Sequence, residues 1–169
     1  MLIAVISDTH MPRGVRRLPD ACVVVLAAAD LILHAGDVST ATTLAEIEQL
    51  GPPVLAVHGN VDDEELTRRL PAERVVEADG ARIGMVHHAG PRRGRLARMR
   101  RRFPDVHAVV FGHSHLPLHE SEDGFAILNP GSPTERRRAP VRTMGIVRAA
   151  SGTLEFELVD LPDSPESRR

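Results

Sequence analysis

Five short polar fragments, each standing at the end of an apolar run, constrain this chain more than any other feature. In chain order they are Asp8-Thr9-His10, Gly36-Asp37, Gly59-Asn60, Val86-His87 and Gly112-His113-Ser114-His115. The runs before them are short and apolar. The first, residues 2–6, is unbroken and rich in β-branched side chains, which predicts a strand buried on both faces. Each fragment then falls where a strand ends and a loop begins, and in an open α/β sheet that edge is where ligands bind.

The segments between the fragments alternate in kind. A strand is expected over 2–6, a helix opened by Pro19-Asp20 and running to Ala28, and a second strand over 31–33. Thr40 is a suitable N-cap for a helix with Leu44, Ile47 and Leu50 on its apolar face, and Gly51-Pro52 ends it. A third strand follows over 54–57. Strand, helix, strand, helix, strand is the order of right-handed parallel βαβ units. The second half differs. Segments 74–77 and 82–86 flank Ala78-Asp79-Gly80-Ala81, whose Asp-Gly step signals a hairpin. A helix over 94–103 aligns Leu96, Met99 and Phe103 on one stripe with arginines between. Further strands are expected over 106–111, 125–128, 143–148 and 154–158, with Ser151-Gly152 turning between the last two. The sum is a two-layered sheet with helices outside.

Composition narrows the function classes. The chain has 169 residues, enough for one domain with a real core. Four Phe, no Trp and no Tyr leave the core to aliphatic side chains and remove the aromatic platforms that stack nucleic-acid bases. A formal net charge of -2 gives no general pull toward a polyanion. All 21 basic residues are Arg, which excludes Schiff-base and P-loop lysine chemistry. The single cysteine, Cys22, sits among Ala21, Val23 and Val24 as a small core residue would. No basic leader precedes residues 1–7 and no apolar run reaches membrane-span length, so the expectation is a soluble, cytoplasmic protein with no membrane partner.

The fragments carry seven potential metal ligands: Asp8, His10, Asp37, Asn60, His87, His113 and His115. Carboxylate, amide oxygen and imidazole suit borderline divalent metals. Seven are too many for one ion and about right for two. The i, i+2 pairs Asp8/His10 and His113/His115 leave strands into loops, so both members of a pair can reach a metal. A carboxylate such as Asp37 is the side chain best suited to bridging two cations.

The order and spacing resemble the calcineurin-like metallophosphoesterases, in particular their small single-domain members. That family's motifs, D-x-H, G-D, G-N-x-[DE], a lone His before Gly, and G-H-x-H, stand here as Asp8-Thr9-His10, Gly36-Asp37, Gly59-Asn60-Val61-Asp62, His87, and Gly112-His113-Ser114-His115. Asn129-Pro130-Gly131-Ser132 is similar to the small members' closing segment. The resemblance covers residues 1–150; one metallophosphoesterase domain is expected over 1–161, and 162–169, polar and without periodicity, is expected to be a disordered tail. The resemblance implies an α/β (α+β) fold, a four-layer β-sandwich of mixed sheets flanked by helices. It also implies that Asp8, His10 and His115 bind one divalent metal, that Asn60, His87 and His113 bind a second, and that Asp37 bridges them. Manganese is the metal expected, with iron, zinc or nickel as alternatives. The implied activity is hydrolysis of phosphate esters, diesters before monoesters, by a metal-activated hydroxide.

Two positions depart from that pattern. Larger members carry a proton-donating His where Val61 stands, so this role is absent or filled from elsewhere. His88 stands where Gly is common, which leaves the register open between His87 and His88, with His87 preferred because it directly follows the strand. His58 and His88 are the further catalytic candidates. His34, like His58, can line the pocket or donate a hydrogen bond behind the ligands, with His34 the weaker pocket candidate, while His107 and His119, the latter in an exposed loop, are ordinary polar residues. The arginine-rich segment 92–102 admits a nuclease or nucleic-acid-binding role, although a helix also needs a solvated face. One of Arg136, Arg137 and Arg138 can reach a phosphate. A non-catalytic, partner-binding scaffold is the rival function, and a homo-oligomer is left open.

Overall fold

The computed structural model describes residues 1–14 and 16–162; the tail expected over 162–169 lies outside them beyond Pro162. The elements run β1 (Leu2–Ile6), α1 (Asp20–Ala27), β2 (Leu31–His34), α2 (Ala41–Glu48), β3 (Val54–Ala56), α3 (Glu64–Arg69), β4 (Glu73–Ala78) and β5 (Ala81–Val86). They continue as α4 (Arg95–Arg102), β6 (Ala108–Val110), β7 (Leu118–Glu122), β8 (Phe125–Asn129), β9 (Arg142–Ala150) and β10 (Thr153–Leu161). The strands form two mixed sheets, β10-β9-β1-β2-β3 and β4-β5-β6-β8-β7.

Side-chain alternation explains why two sheets and flanking helices form. On β1, Ile3 and Val5 join Leu31 and Leu33 of β2 against Ile83, Met85, Val110 and Leu128 of the other sheet, a dry layer between the sheets. Ala4, Ile6 and Ile32 point the opposite way, onto Cys22 and Leu26 of α1 and Ile47 of α2. On the far side, Met99 and Phe103 of the α4 segment cover Val109, Phe111, Phe125 and Ile127. The expectation of mixed sheets flanked by helices holds, as does the double-sided burial of β1 and β2. The buried Cys22 packs as a core residue.

Topology brings the strand ends together. β1, β2 and β3 are parallel neighbours, as are β5, β6 and β8. The C-terminal ends of each set therefore lie along one edge of their sheet. Caps fall where they are expected: Thr40 accepts the Thr43 N–H at 3.2 Å, and Asp79-Gly80 turns β4 into β5 with both residues in the left-handed region. Two elements were not expected. α3 begins at Asp63, whose carboxylate accepts the Leu66 N–H, with Glu64 and Glu65 in its first turn and Arg68 and Arg69 in its last. β7 pairs antiparallel with β8, so His119 lies on a strand and not in a loop, its ring 4.9 Å from that of Phe156.

The Phe103 ring lies over Gly84, where an added Cβ would stand 2.8 Å from it, so this contact closes the outer layer of the second sheet. Phe103→Ala is expected to lower stability by about 3–5 kcal/mol in urea unfolding.

Candidate metal centre

The five fragments meet at one rim on an uncommon backbone. Asp8, His10, Asp37, His113 and His115 all have positive φ, at 57°, 47°, 58°, 71° and 57°. A non-glycine residue there costs on the order of 1–3 kcal/mol, and such residues gather where function requires the geometry. Loop-to-loop hydrogen bonds hold them. Asp8 N–H donates to the Gly36 carbonyl at 2.9 Å and His10 N–H to the Asp37 carbonyl at 3.1 Å, tying the first two loops together. The His113 N–H donates to the Asp8 carboxylate, 2.9 Å from Oδ2, which joins the two sheets. Ser132 Oγ donates to the Asp8 carbonyl at 2.8 Å and Thr134 Oγ1 to the Thr9 carbonyl at 2.6 Å.

The motif glycines are required by close approach. A Cβ at Gly59 would overlap Asp37 Oδ1, and one at Gly112 would overlap Ser7 Oγ and stand 2.7 Å from Asp8 Oδ2. A Cβ at Gly36 would stand 2.7 Å from His87 Nδ1. Each glycine thus keeps open the space that a candidate ligand fills.

Among the described residues two groups able to hold a metal ion result: Asp8, His10 and His115, and Asp37, His87 and His113. In the first, His10 Nε2 is 3.1 Å from His115 Nε2, and His115 Nε2 is 3.4 Å from Asp8 Oδ1. In the second, His87 Nε2 is 3.3 Å from Asp37 Oδ2, and Asn60 Oδ1 stands 3.2 Å from His87 Nε2 and 2.9 Å from His113 Nδ1. Donors sharing one cation at ordinary bond lengths are separated by about 3–3.5 Å, so this spacing fits a metal.

The protons agree with that fit. His115 Nδ1 donates to the Glu135 carbonyl at 2.6 Å, and His87 Nδ1 donates to the Ala35 carbonyl at 2.8 Å. In a neutral ring that leaves each Nε2 with its lone pair facing the cluster, the arrangement that backbone carbonyls impose on metal-ligating histidines. For His87 the lone pair then faces two oxygen acceptors, and only a proton or a cation reconciles the three.

Without a cation, protons have to settle the charges of these groups. Burial pushes the Asp8 carboxyl up to about 7, against the lowering influence of His87 and Ser7. Burial holds His10 down at about 4 and also lowers His113 and His115, so these rings are neutral near pH 7. Burial likewise opposes a charge on Asp37, but the hydrogen bond and charge of His87, with the Val61 N–H, outweigh it and bring Asp37 to about 2. Burial also opposes a charge on His87, which Asp37 and Asp8 overcome, raising it above 6.5.

The remaining sequence candidates divide by position. His87 faces Asp37 and Asn60, while His88 is exposed with its ring edge against His113 at 4.3 Å. His58, His88 and Arg102 line a cleft of about 570 Å³ beside Asn60, His87 and His113. His34 does not line a pocket: it is wholly buried. Its Nδ1 accepts the Gly36 N–H at 3.2 Å, so Nε2–H donates to Thr9 Oγ1 at 3.1 Å, fastening one fragment to the next. His107 accepts the Arg82 N–H through Nδ1 and is structural. The α4 arginines are largely committed: Arg95 to the Gly90 carbonyl, Arg98 to that of Ala89, Arg100 to that of Glu122 and Arg102 to the Glu73 carboxylate. Those contacts give no support to a nucleic-acid surface there.

Two contributions escape sequence reading. Asp62 accepts the N–H groups of Gly59, Asp37 and Ser39 at 2.6, 3.2 and 2.7 Å, organising two loops from the last position of Gly59-Asn60-Val61-Asp62. Its place in that motif was the available signal. Of the three consecutive arginines, Arg137 is the one whose charge is felt by His10, His113 and His115. Arg136 turns away to the Pro140 carbonyl.

Comparison with known proteins spans all five fragments. Residues 1–152 match the calcineurin-like phosphoesterase superfamily domain. The chain belongs to that superfamily. A probable metallophosphoesterase of Methanothermobacter thermautotrophicus is 34% identical over 161 residues, covering 94% of this chain and 92% of the relative. The crystal structure of Vps29 from Entamoeba histolytica complexed with Zn²⁺ is 25% identical, with a TM-score of 0.76 over 95% of this chain and 99% of that one. An archaeal phosphodiesterase, 20% identical, superposes with a TM-score of 0.71 over 94% of this chain and 100% of the other, which establishes the shared fold. As a metallophosphoesterase-family chain, this protein carries two candidate metal-ligand groups, and no helix among the described residues is long and apolar enough to cross a membrane.

His34 gives a pH test independent of activity. Burial lowers its pKa from 6.5 to about 3, so between these values the unfolded chain binds a proton that the folded chain does not. Stability therefore falls as pH drops through that interval. In metal-free protein, thermal unfolding is expected to show a shallower acid-side loss for His34→Gln than for wild type.

Proposed function

We propose that this protein is a dinuclear metal-dependent phosphoesterase that prefers phosphodiesters. The observation that carries the reading is the position of Asp37 Oδ2, 3.6 Å from His10 Nε2 and 3.3 Å from His87 Nε2. One carboxylate oxygen faces both donor groups, as a bridge must. On this reading Asp8, His10 and His115 hold one divalent cation, Asn60, His87 and His113 hold the other, and Asp37 holds both. The mixed oxygen and nitrogen set suits manganese, which we assign, and also iron, zinc and nickel. When bound, such a pair lowers the pKa of water toward neutrality and polarises phosphoryl oxygens.

The chain's own residues supply the rest. The loop hydrogen bonds fix the donors before substrate arrives, so reorganisation costs little. Arg137 adds positive charge beside the imidazoles, where a phosphoryl group carries negative charge. His58 and His88 line the cleft next to the second group, placed to contact the ester arm lying there. A second cleft, bordered by Ser114, adjoins the His113-Ser114-His115 loop, which gives a diester room for two arms. Val61 is exposed at the rim and presents an isopropyl group where a proton donor would assist the leaving group. The name of the archaeal structural neighbour, a phosphodiesterase, agrees with this preference.

The likeness to Vps29, a vacuolar protein sorting component, supports a second reading, a metal-holding scaffold that turns over nothing. Elemental analysis together with assays on bis(p-nitrophenyl) phosphate separates the two. Wild type is expected to bind two metals and hydrolyse the diester, to lose activity with a chelator and regain it with Mn²⁺. Asp37→Asn is expected to lose metal and about a hundredfold or more in turnover. Full metal loading with no turnover of any phosphate ester gives the scaffold reading instead.

The leaving group provides a separate check. Aryl phosphodiesters, whose phenolates depart unprotonated, are expected to react well ahead of simple alkyl diesters. Equal rates for both between about pH 6 and about pH 9 would mean that another residue delivers the proton.

A further inference from the structure

Beside the metal centre lies a cleft of about 380 Å³ lined by Arg92, Arg95, Arg138, Ser114 and the apolar group Leu116, Pro117, Leu118, Ala139 and Pro140. Its wall adjoins the centre through Ser114. Ser114 stands between the candidate ligands His113 and His115.

Three guanidinium groups converge here from two separate segments of the chain. Arg95 is held in place: it donates to the Gly90 carbonyl at 3.0 Å, and its guanidinium carbon sits 4.9 Å above the Phe111 ring centre. Burial and the nearby charges of Arg98 and Arg92 press its pKa down, opposed by Glu120. Among the described residues neither Arg92 nor Arg138 is ion-paired with a carboxylate, in contrast to Arg102, which is paired with Glu73, and Arg148, paired with Glu157. Gathering like charges around a concave, partly apolar surface is unfavourable by itself, and an anion placed among them relieves it. Arginine forks match the oxygens of phosphate in particular.

We propose that this cleft is a second anion subsite, which binds a further phosphate carried by the substrate while the scissile phosphodiester lies on the metal centre. The inference rests on the phosphoesterase reading and narrows it to substrates that bear two phosphoryl groups on one molecule. The apolar wall from Leu116 to Leu118 and at Ala139-Pro140 faces the part of the substrate between the two phosphates. The other cleft, with His58 and His88, is then left to the departing arm.

Two chromogenic diesters that differ in one group test this: thymidine 5′-(p-nitrophenyl phosphate) and its 3′-phosphorylated form. The manganese-loaded protein is expected to favour the 3′-phosphorylated ester by about tenfold or more in kcat/KM, chiefly through KM, because charge-assisted hydrogen bonds to the extra phosphate form on binding. In the double variant Arg92→Ala/Arg138→Ala that ratio is expected to fall toward one. In Arg148→Ala, on the β9–β10 hairpin, it is expected to stay at the wild-type value. Hydrolysis of both esters with a wild-type ratio near one overturns the subsite and leaves the phosphoesterase reading intact. If neither ester nor bis(p-nitrophenyl) phosphate is hydrolysed, the phosphoesterase reading fails, and calorimetric titration decides the subsite. Tighter binding of thymidine 3′,5′-bisphosphate than of thymidine 5′-monophosphate, lost in the double variant, supports it. Equal affinity for the two overturns it.

Discussion

The hydrogen bonds that hold five non-glycine residues in left-handed backbone are the constraint on which the rest of the structure depends. Asp8, His10, Asp37, His113 and His115 each occupy a conformation that an isolated peptide avoids. They stay there because neighbouring loops over-determine them: Asp8 N–H on Gly36, His10 N–H on Asp37, and the His113 N–H on the Asp8 carboxylate. The last of these spans the two sheets. It couples the dry layer between the sheets to the rim, so packing energy in the core maintains the strained turns.

Charge explains why such an arrangement is kept. The rim buries two carboxylates among imidazoles whose lone pairs face inward, with Asp8 pushed toward neutrality and His10 held deprotonated. Without a metal, protons on groups such as His87 have to reconcile these facing acceptors, and a divalent cation reconciles several at once. Arginine completes the pattern outside the donor shell. Arg137 lends its charge to the centre, and Arg92, Arg95 and Arg138 gather in the adjoining cleft. The positive charge at this rim comes from residues far apart in sequence, so the net charge of -2 conceals it.

Much of the architecture was legible because it rests on local signals. Thr40 caps α2, Asp79-Gly80 turns the hairpin, and Leu96, Met99 and Phe103 mark the buried face of α4. Where reading failed, the local signal was weak or diluted. α3 has six residues, too few for an apolar stripe to register, although Asp63 with the acidic first turn and basic last turn marked it. β7 reads Leu-His-Glu-Ser-Glu, a polar edge strand that owes its conformation to pairing with β8 and not to propensity. His34 resembled a pocket residue because it precedes a motif glycine; only the packing of β2 between β1 and β3 shows it buried as a clasp.

By itself the sequence determined the donor chemistry and its placement at strand ends, because residue type and the apolar period are local properties. It also set the family, through the order of the fragments. Tertiary structure alone decided the distances within each donor group, that a single oxygen of Asp37 faces both, that His87 and not His88 turns inward, and that Arg138 lines the adjoining cleft. Those are relations across the gap between two sheets. Their distances follow from how the sheets pack and how the loops lock, which no single segment encodes.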